Sequence, residues 1–249
     1  MMDKVDAVVL AGGGGIEEGA PVKALLPIGS RVMVDYVVEA LKNSRGIERI
    51  VLVGPDELRS HYDQTAGFLF AEQGSTPLRS FAEGVGVLDT SNTWVMACTG
   101  DIPFLTTAAV DDFISKCFER EADFYYPIVK KETVESRFPG VKRTYASLRD
   151  GTFTGGNLLL VRREIISRCL SIAEEFVRLR KKPVALARLV GLGILWSYFF
   201  GQLTVPVAER RVSELVGVRG RAVISDYPEI GVDMDKASDL ELIQELSGE

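Results

Sequence analysis

Four consecutive glycines, Gly12 to Gly15, interrupt an apolar run from Val5 to Leu10, and Lys23 follows in the segment Pro21-Val22-Lys23-Ala24-Leu25-Leu26-Pro27. Glycines lack a Cβ, so their backbone N–H groups can close on phosphate oxygens, and a lysine adds a point charge to the same polyphosphate. Neither the Walker spacing nor the dinucleotide fingerprint is present. Carboxylates stand at two further points, Asp101 in Thr99-Gly100-Asp101-Ile102-Pro103 and the pair Asp233 and Asp235. His61 is the only histidine, which leaves no histidine triad or multi-histidine metal site; it reads as a surface residue.

The elements that must position these residues follow from hydrophobic pattern. Val5 to Leu10 is a continuous apolar run of the kind buried on both faces of a parallel sheet. Val34 to Leu41 has helical spacing and Ile50 to Val53 is a second buried strand, so strand, loop, helix and strand form a βαβ unit. The alternation continues with strand Phe68 to Ala71, helix Leu78 to Leu88, strand Thr93 to Cys98, helix Thr107 to Arg120 and strand Phe124 to Val129. This predicts a three-layer α/β/α fold around a Rossmann-like, mostly parallel mixed sheet. Ligands of such sheets bind beyond the carboxyl ends of the strands, and there the glycine loop, the Asp101 turn and the Asp233/Asp235 pair all fall.

The later chain predicts a loop or hairpin excursion around 130–155, a strand from Thr154 to Val161 and a helix from Glu164 to Arg180. Leu189 to Val207 is an apolar stretch containing Trp196, Tyr198, Phe199 and Phe200, too interrupted to span a membrane, which takes ~20 residues. It suits a core, dimer or lipid-facing helix, and Arg178, Arg180, Lys181, Lys182 and Arg188 before it add a peripheral membrane contact through 178–207 as a minor option. Ala222 to Ser225 and Ile230 to Asp235 read as strands, the second placing Asp233 and Asp235 on one face. A last helix, Ser238 to Leu246, opens with the capping-box spacing of Ser238 and Glu241. The whole reads as one domain over 1–249, with the 130–155 excursion on the acceptor side and a helical, apolar insertion around 164–215.

With 29 basic against 35 acidic residues the net charge is −6, which argues against non-specific nucleic-acid binding. Cys98, Cys117 and Cys169 are too scattered for a disulfide framework or a zinc site and read as small buried hydrophobes. No signal peptide is evident at the start, so a cytoplasmic location is expected.

Val9-Leu10-Ala11-Gly12-Gly13 followed by Lys23-Ala24-Leu25-Leu26-Pro27 resembles the opening signature of the nucleoside-triphosphate transferases, and Thr99 to Leu105 resembles their metal-binding strand end, most like the MobA-like guanylyltransferase branch. Gly231 to Asp235 is similar to the C-terminal metal-side motif of several members. The resemblance implies a GT-A-like fold and a magnesium-dependent transfer of NMP from a nucleoside triphosphate to a phosphorylated small-molecule acceptor, with pyrophosphate released. It makes Lys23 the ligand of the triphosphate and Leu10, Ala11, Gly12 and Gly13 the nucleoside holder. Asp101 binds Mg²⁺ from one side, and Asp233 or Asp235 from the other, in keeping with the one or two carboxylates Mg²⁺ usually takes. Lys23 and Asp101 are then the catalytic pair, and Gly74 and Ser75 in Glu72-Gln73-Gly74-Ser75-Thr76 are further nucleotide contacts. Gly156 and Asn157 resemble the acceptor-binding asparagine motif, and Arg137, Lys142 and Arg143 are basic groups within reach of an acceptor phosphate. Arg79 has two readings, phosphate cap or solvent.

One departure matters. Relatives carry an arginine shortly after the glycines, and here that stretch is Gly14-Gly15-Ile16-Glu17-Glu18-Gly19-Ala20. Arg31 or another residue substitutes, or the enzyme is slow, or activity is lost and the chain is a nucleotide-binding protein without catalysis. A nicotinamide-dependent oxidoreductase is a weaker third reading, since it leaves Asp101 and Asp233 without a role. A homodimer is the expected assembly if the late apolar stretch is exposed.

Overall fold

The computed structural model describes residues 4–13, 22–62, 67–179 and 191–234. In chain order these form β1 (Val5–Leu10), a small hairpin of β2 (Pro27–Ile28) and β3 (Arg31–Val32), α1 (Met33–Lys42), β4 (Ile47–Val53), α2 (Asp56–Tyr62), β5 (Leu69–Ala71), α3 (Pro77–Gly86) and β6 (Trp94–Thr99). There follow α4 (Thr107–Cys117), β7 (Phe124–Lys130), α5 (Lys131–Arg137), β8 (Ala146–Leu148), β9 (Gly151–Gly155), β10 (Leu158–Arg162), α6 (Ile166–Leu179), α7 (Leu192–Phe199), α8 (Val205–Val216) and β11 (Gly220–Ser225).

The central sheet is mixed and mostly parallel. β5, β4, β1 and β6 lie side by side in parallel, β10 pairs antiparallel with β6, and β7 pairs antiparallel with β10. β9 continues along the β10 edge of β7, and β11 runs parallel to β7 on its other edge. Val5, Ala7, Val8 and Val9 are fully buried because β1 has a neighbour on each edge and a helical layer on each face. Each such valine contributes on the order of 1.5–3 kcal/mol of burial.

One face is covered by α1, α2 and α4, whose Val34, Leu41, Leu58, Phe113 and Ile114 share a core with Ala7, Val9 and Met96 of the strands. The other is covered by α3 and α6, with Phe81, Val85, Ile166 and Cys169 packed on Val8, Val51 and Val95. Thr76 caps α3 by accepting from the Arg79 N–H at 3.1 Å, Pro77 occupies its first turn, and Gly84 lets the helix approach Val8 and Val53. All three cysteines are buried thiols, as expected.

The strand predicted from Thr154 to Val161 is broken into β9 and β10 at Gly156 and Asn157. The 130–155 excursion is a short helix, α5, followed by the β8–β9 hairpin, whose Gly151 has a φ of 143°. Of the strand predicted over Ile230 to Asp235, the described residues up to Met234 form none. Pro228–Gly231 is a 3₁₀ turn, begun by the proline, and the chain is extended again at Val232. Asp235 and the Ser238 to Leu246 helix lie outside the described residues.

A core placement for the late aromatic residues is also excluded. Trp196, Phe199 and Phe200 are 62, 75 and 66% exposed, on and just after α7. The apolar stretch is divided by a turn at Gly201 before α8 begins, and among the described residues no helix is long and apolar enough to cross a membrane.

Candidate functional site

The fold reverses direction at β1. From β1 the chain crosses to β4 on one side, while β6 returns on the other, which opens a crevice at the carboxyl ends of β1 and β6. Leu10 and Thr99 are register partners at those ends. Beyond them the Gly100 N–H donates to the Leu10 carbonyl at 2.9 Å, and the Ala11 N–H to the Val53 carbonyl at 2.8 Å. A Cβ on Gly100 would meet Ala11 and the Leu10 carbonyl at 3.2 Å, so the two strand ends meet almost backbone to backbone.

Lys23 reaches this crevice by a local route. Its N–H donates to the Gly13 carbonyl at 3.0 Å, and it opens a 3₁₀ turn, Lys23–Leu25, anchored by buried Ala24. Its Nζ then donates to Asp101 Oδ2 at 2.7 Å, with both side chains about one-quarter exposed (25% each). Asp101 Oδ1 is buried and has no hydrogen-bond partner among the described residues, as is the Thr99 hydroxyl. Two acceptor atoms without donors at a strand end need a ligand to satisfy them. Behind them burial, aided by the Asp101 charge, pushes the Cys98 thiol up, so it stays neutral.

The third wall is the β5–α3 connection. Gly74 donates its N–H to the Ser80 hydroxyl at 3.0 Å, and a Cβ on Gly74 would fall 2.5 Å from the Arg79 Cβ and 2.8 Å from the Ser80 nitrogen. Only glycine lets this loop lie against the first turn of α3, whose amino end, the positive end of the helix dipole, borders the cleft. The open cleft has a volume of about 320 Å³, and Leu10, Ala11, Gly12, Gly13, Lys23, Gly74, Ser75 and Asp101 all line it. The structure therefore brings every nucleotide-side residue expected from sequence into one cleft.

It adds residues that sequence reasoning missed. Gln73 lies against Gly12, where any Cβ would strike its amide oxygen, and Thr99 and Ser80 also line the cleft. Gln73 and Thr99 each follow or end a strand next to a recognised glycine, a signal that was available. Arg79 holds Glu174 of α6 through two bonds of 2.9 Å and does not line the cleft. Arg31, the expected stand-in for the missing arginine, pairs with Glu39 on α1, lies over the Tyr36 ring and does not line the cleft. His61 lies at the surface, as expected, with its Nε2 3.0 Å from Asp35 Oδ1.

On the far side, Gly156 and Asn157 clamp the segment after β11. The Asn157 N–H and its side-chain amide both donate to the Ile230 carbonyl, at 2.9 and 3.1 Å. A Cβ on Gly156 would come within 2.7 Å of Ile230 and 2.8 Å of Pro127. The clamped segment returns to the cleft, where the Met234 N–H donates to the Asp101 carbonyl at 3.0 Å. Asp233 is thereby set beside Asp101, and its carboxylate is ion-paired with Arg143.

With this geometry in view, residues 7–187 match the MobA-like NTP transferase domain. The chain belongs to that family. The MobA-like chain is 24% identical over 131 residues to a probable molybdenum cofactor guanylyltransferase from Natranaerobius thermophilus, a match spanning 52% of the chain and 62% of that relative. A solved structure described as a hypothetical transferase from Thermus thermophilus is 41% identical, with a TM-score of 0.83 over 95% of this chain and 99% of the other. The fold also recurs at 12% identity in CMP:2-keto-3-deoxy-manno-octonic acid synthetase complexed with CTP, with a TM-score of 0.64 over 99% of each chain. The MobA-like fold thus accounts for the sheet, the crevice and the position of the glycine loop together.

Proposed function

We propose that this MobA-like domain is a nucleotidyltransferase that moves NMP from a nucleoside triphosphate to a phosphorylated small-molecule acceptor and releases pyrophosphate. The observation that carries the reading is the Lys23–Asp101 pair at the crevice between β1 and β6, with Asp101 Oδ1 buried and unmatched. A lysine and a carboxylate at the mouth of a glycine-lined cleft suit a polyphosphate and its counter-cation.

The residues fit Mg²⁺: Asp101 offers an unmatched buried oxygen, and Asp233, next in the chain to the Met234 that binds the Asp101 carbonyl, is the candidate second carboxylate, with Asp235 as the alternative from sequence. When bound, Mg²⁺ supplies positive charge to the phosphate oxygens as the phosphorus changes partners. The chain does the rest. The Gly12 and Gly13 backbone and Lys23 hold the triphosphate, while Gln73, Gly74 and Ser75 close over the nucleoside. An acceptor phosphate oxygen forms a bond to the α-phosphorus as the bond from the α-phosphorus to the β-phosphate bridging oxygen breaks. No side-chain nucleophile is needed, because positioning and charge stabilisation supply the acceleration.

A second reading, nucleotide binding without catalysis, is favoured by one observation: Arg31 is engaged by Glu39 outside the cleft. Pyrophosphate release separates the two, measured over the nucleoside triphosphates against a panel of phosphorylated acceptors with Mg²⁺. Acceptor-dependent release is the expected result. Saturable triphosphate binding with no release from any acceptor would sink the transferase and leave the binding protein.

A further inference from the structure

The aromatic residues of α7 do not line the cleft. The helix carries no charged side chain: apart from Gly193 and Ser197 it consists of Leu192, Ile194, Leu195, Trp196, Tyr198 and Phe199. A helix apolar on every side belongs inside a core or a lipid layer. Here it lies outside the core, with Trp196, Tyr198, Phe199 and, just beyond the helix, Phe200 all exposed. The Trp196 and Phe200 rings stack at 5.3 Å and 9°, and the Tyr198 and Phe199 rings meet edge-on at 6.0 Å, so the four form a continuous patch.

The charge around the patch selects its occupant. From Phe176 to Ala208 the sequence has no acidic residue, although the whole chain carries a net charge of −6. The same stretch holds Arg178, exposed on α6, and Arg180, Lys181, Lys182 and Arg188, which lie outside the described residues. The acids that bound it are engaged: Glu175 pairs with Arg178 at 3.5 Å, and Glu209 is buried between Arg120 and Arg221. Asp150, which the fold brings to the end of the stretch, accepts from the Val205 N–H at 2.6 Å. Exposed rings beside an acid-free basic stretch complement an anionic bilayer, where rings sit at headgroup level and Lys and Arg meet the lipid charge. A second copy of the chain fits less well. A two-fold contact would set the basic stretch against itself. The exposed area of the four rings is roughly 400–600 Å², taking about 150–250 Å² for each whole residue, against the ~800 Å² that each partner of a stable complex buries.

We propose that this patch is a peripheral membrane anchor. Trp196, Tyr198, Phe199 and Phe200 enter the interface of an anionic bilayer, and Arg178 with the net positive charge of the Phe176 to Ala208 stretch draws them to its headgroups. The 8 residues of α7 span ~12 Å, too short for a hydrocarbon core of ~30 Å, so the helix lies in the interface rather than across it. The anchor is separate from the cleft, and its failure would leave the nucleotidyl-transfer reading as it stands.

The test is co-sedimentation of the full chain with vesicles of phosphatidylcholine, alone or mixed with phosphatidylglycerol, read together with tryptophan fluorescence. Trp94 is buried, Trp196 is exposed and the chain has no other tryptophan, so a blue shift on binding reports Trp196. Wild type binds the phosphatidylglycerol vesicles with a blue shift, and binds them less as salt is raised. The double variant Phe199→Ser/Phe200→Ser binds about tenfold more weakly or worse, because its apolar area no longer leaves water. Its urea midpoint stays at the wild-type value, since both side chains are at the surface. Trp196→Phe still sediments with the vesicles and loses the shift. No binding of wild type to phosphatidylglycerol vesicles would overturn the anchor. So would equal binding to phosphatidylcholine alone, which removes the part played by charge, or wild-type binding by the double variant, which removes the part played by the rings. A dimer in sedimentation velocity that the double variant dissolves, with no vesicle binding, would overturn it in favour of a second copy.

Discussion

The two sides of the cleft are built by different means. Around β1, β5 and β6 the wall is mostly backbone: Gly100 on Leu10, Ala11 on Val53 and Lys23 on Gly13 are all main-chain hydrogen bonds between strand ends and their adjoining loops. Around β7, β10 and β11 the wall depends on side chains from distant segments, with Asn157 holding Ile230 and Arg143 holding Asp233. A backbone wall tolerates most substitutions and fails where a Cβ intrudes. A side-chain wall can be broken one residue at a time. The first arrangement suits a part of the substrate that is always the same, and the second suits a part that varies.

Asp101 is where the two walls meet, since it pairs with Lys23 through its side chain and accepts from Met234 through its carbonyl. Asp101→Asn therefore has the largest expected effect. It keeps the carbonyl contact and the shape but removes the charge, and transfer falls by on the order of 10²–10³-fold, as for loss of one preorganised electrostatic group. The comparison breaks if the variant transfers at the wild-type rate, because Asp101 would then be only a structural partner of Lys23. Single-turnover kinetics on the substrates identified by pyrophosphate release would decide it.

Next in size is a pair of glycines in the backbone wall. Gly74→Ala drives a methyl into the first turn of α3, against Arg79 and Ser80, and is expected to cost about 1–3 kcal/mol of stability, the range for overpacking. Gly13→Ala meets nothing within 4 Å among the described residues and should leave the unfolding midpoint unchanged, so that any loss appears in triphosphate binding alone. Urea unfolding and nucleotide calorimetry on the two variants give the contrast. A destabilised Gly13→Ala would mean that the glycine loop is packed on elements that its contacts do not reveal.

This division also explains what was legible in the sequence. Leu10 to Gly13, Lys23 and Asp101 could be found because each belongs to a short local pattern, a buried strand ending in glycine or a turn before proline, and the sheet aligns strand ends without further information. The β4, β5, β6 and β7 strands were legible for the same reason. Arg79 and Arg143 were not, because their partners, Glu174 and Asp233, are far along the chain and nothing in the local pattern selects them. Asn157 was read as an acceptor contact, and its donors prove to be directed at Ile230, a contact that exists only once β10 and the Pro228–Gly231 turn are both in place. The late aromatic residues looked equally suited to a core or a surface, since a hydrophobic run alone does not say which side of a helix finds a neighbour.

The smallest expected effect comes from a side-chain cluster on the backbone-built side. Asp35 of α1 accepts from the Tyr62 hydroxyl at 2.6 Å and from the Val32 N–H at 3.2 Å, and His61 Nε2 lies 3.0 Å away. Burial works to raise its carboxyl, but the bonds from Tyr62, His61 and Val32 outweigh it and hold the group below its ordinary value of 3.8. A depressed carboxyl stabilises the fold above its unfolded value and loses that contribution as pH falls through the lowered one. Asp35→Asn is therefore expected to cost about 1 kcal/mol at pH 7, the scale of a net hydrogen bond. The gap from wild type should narrow as the pH is lowered below about 4, where Asp35 of the unfolded chain begins to take up a proton, and close as the pH passes the lowered value of the folded group. Burial followed by the Asp35 contact pushes the Tyr62 phenol up, which adds stability below the ordinary tyrosine range that is lost as pH rises beyond it, so the variant should also have a flatter alkaline limb. The cluster does not line the cleft, and transfer should be untouched at every pH where the variant is folded. A constant stability gap from pH 7 to pH 3 would remove the ionic part of the account and leave Asp35 a neutral packing residue.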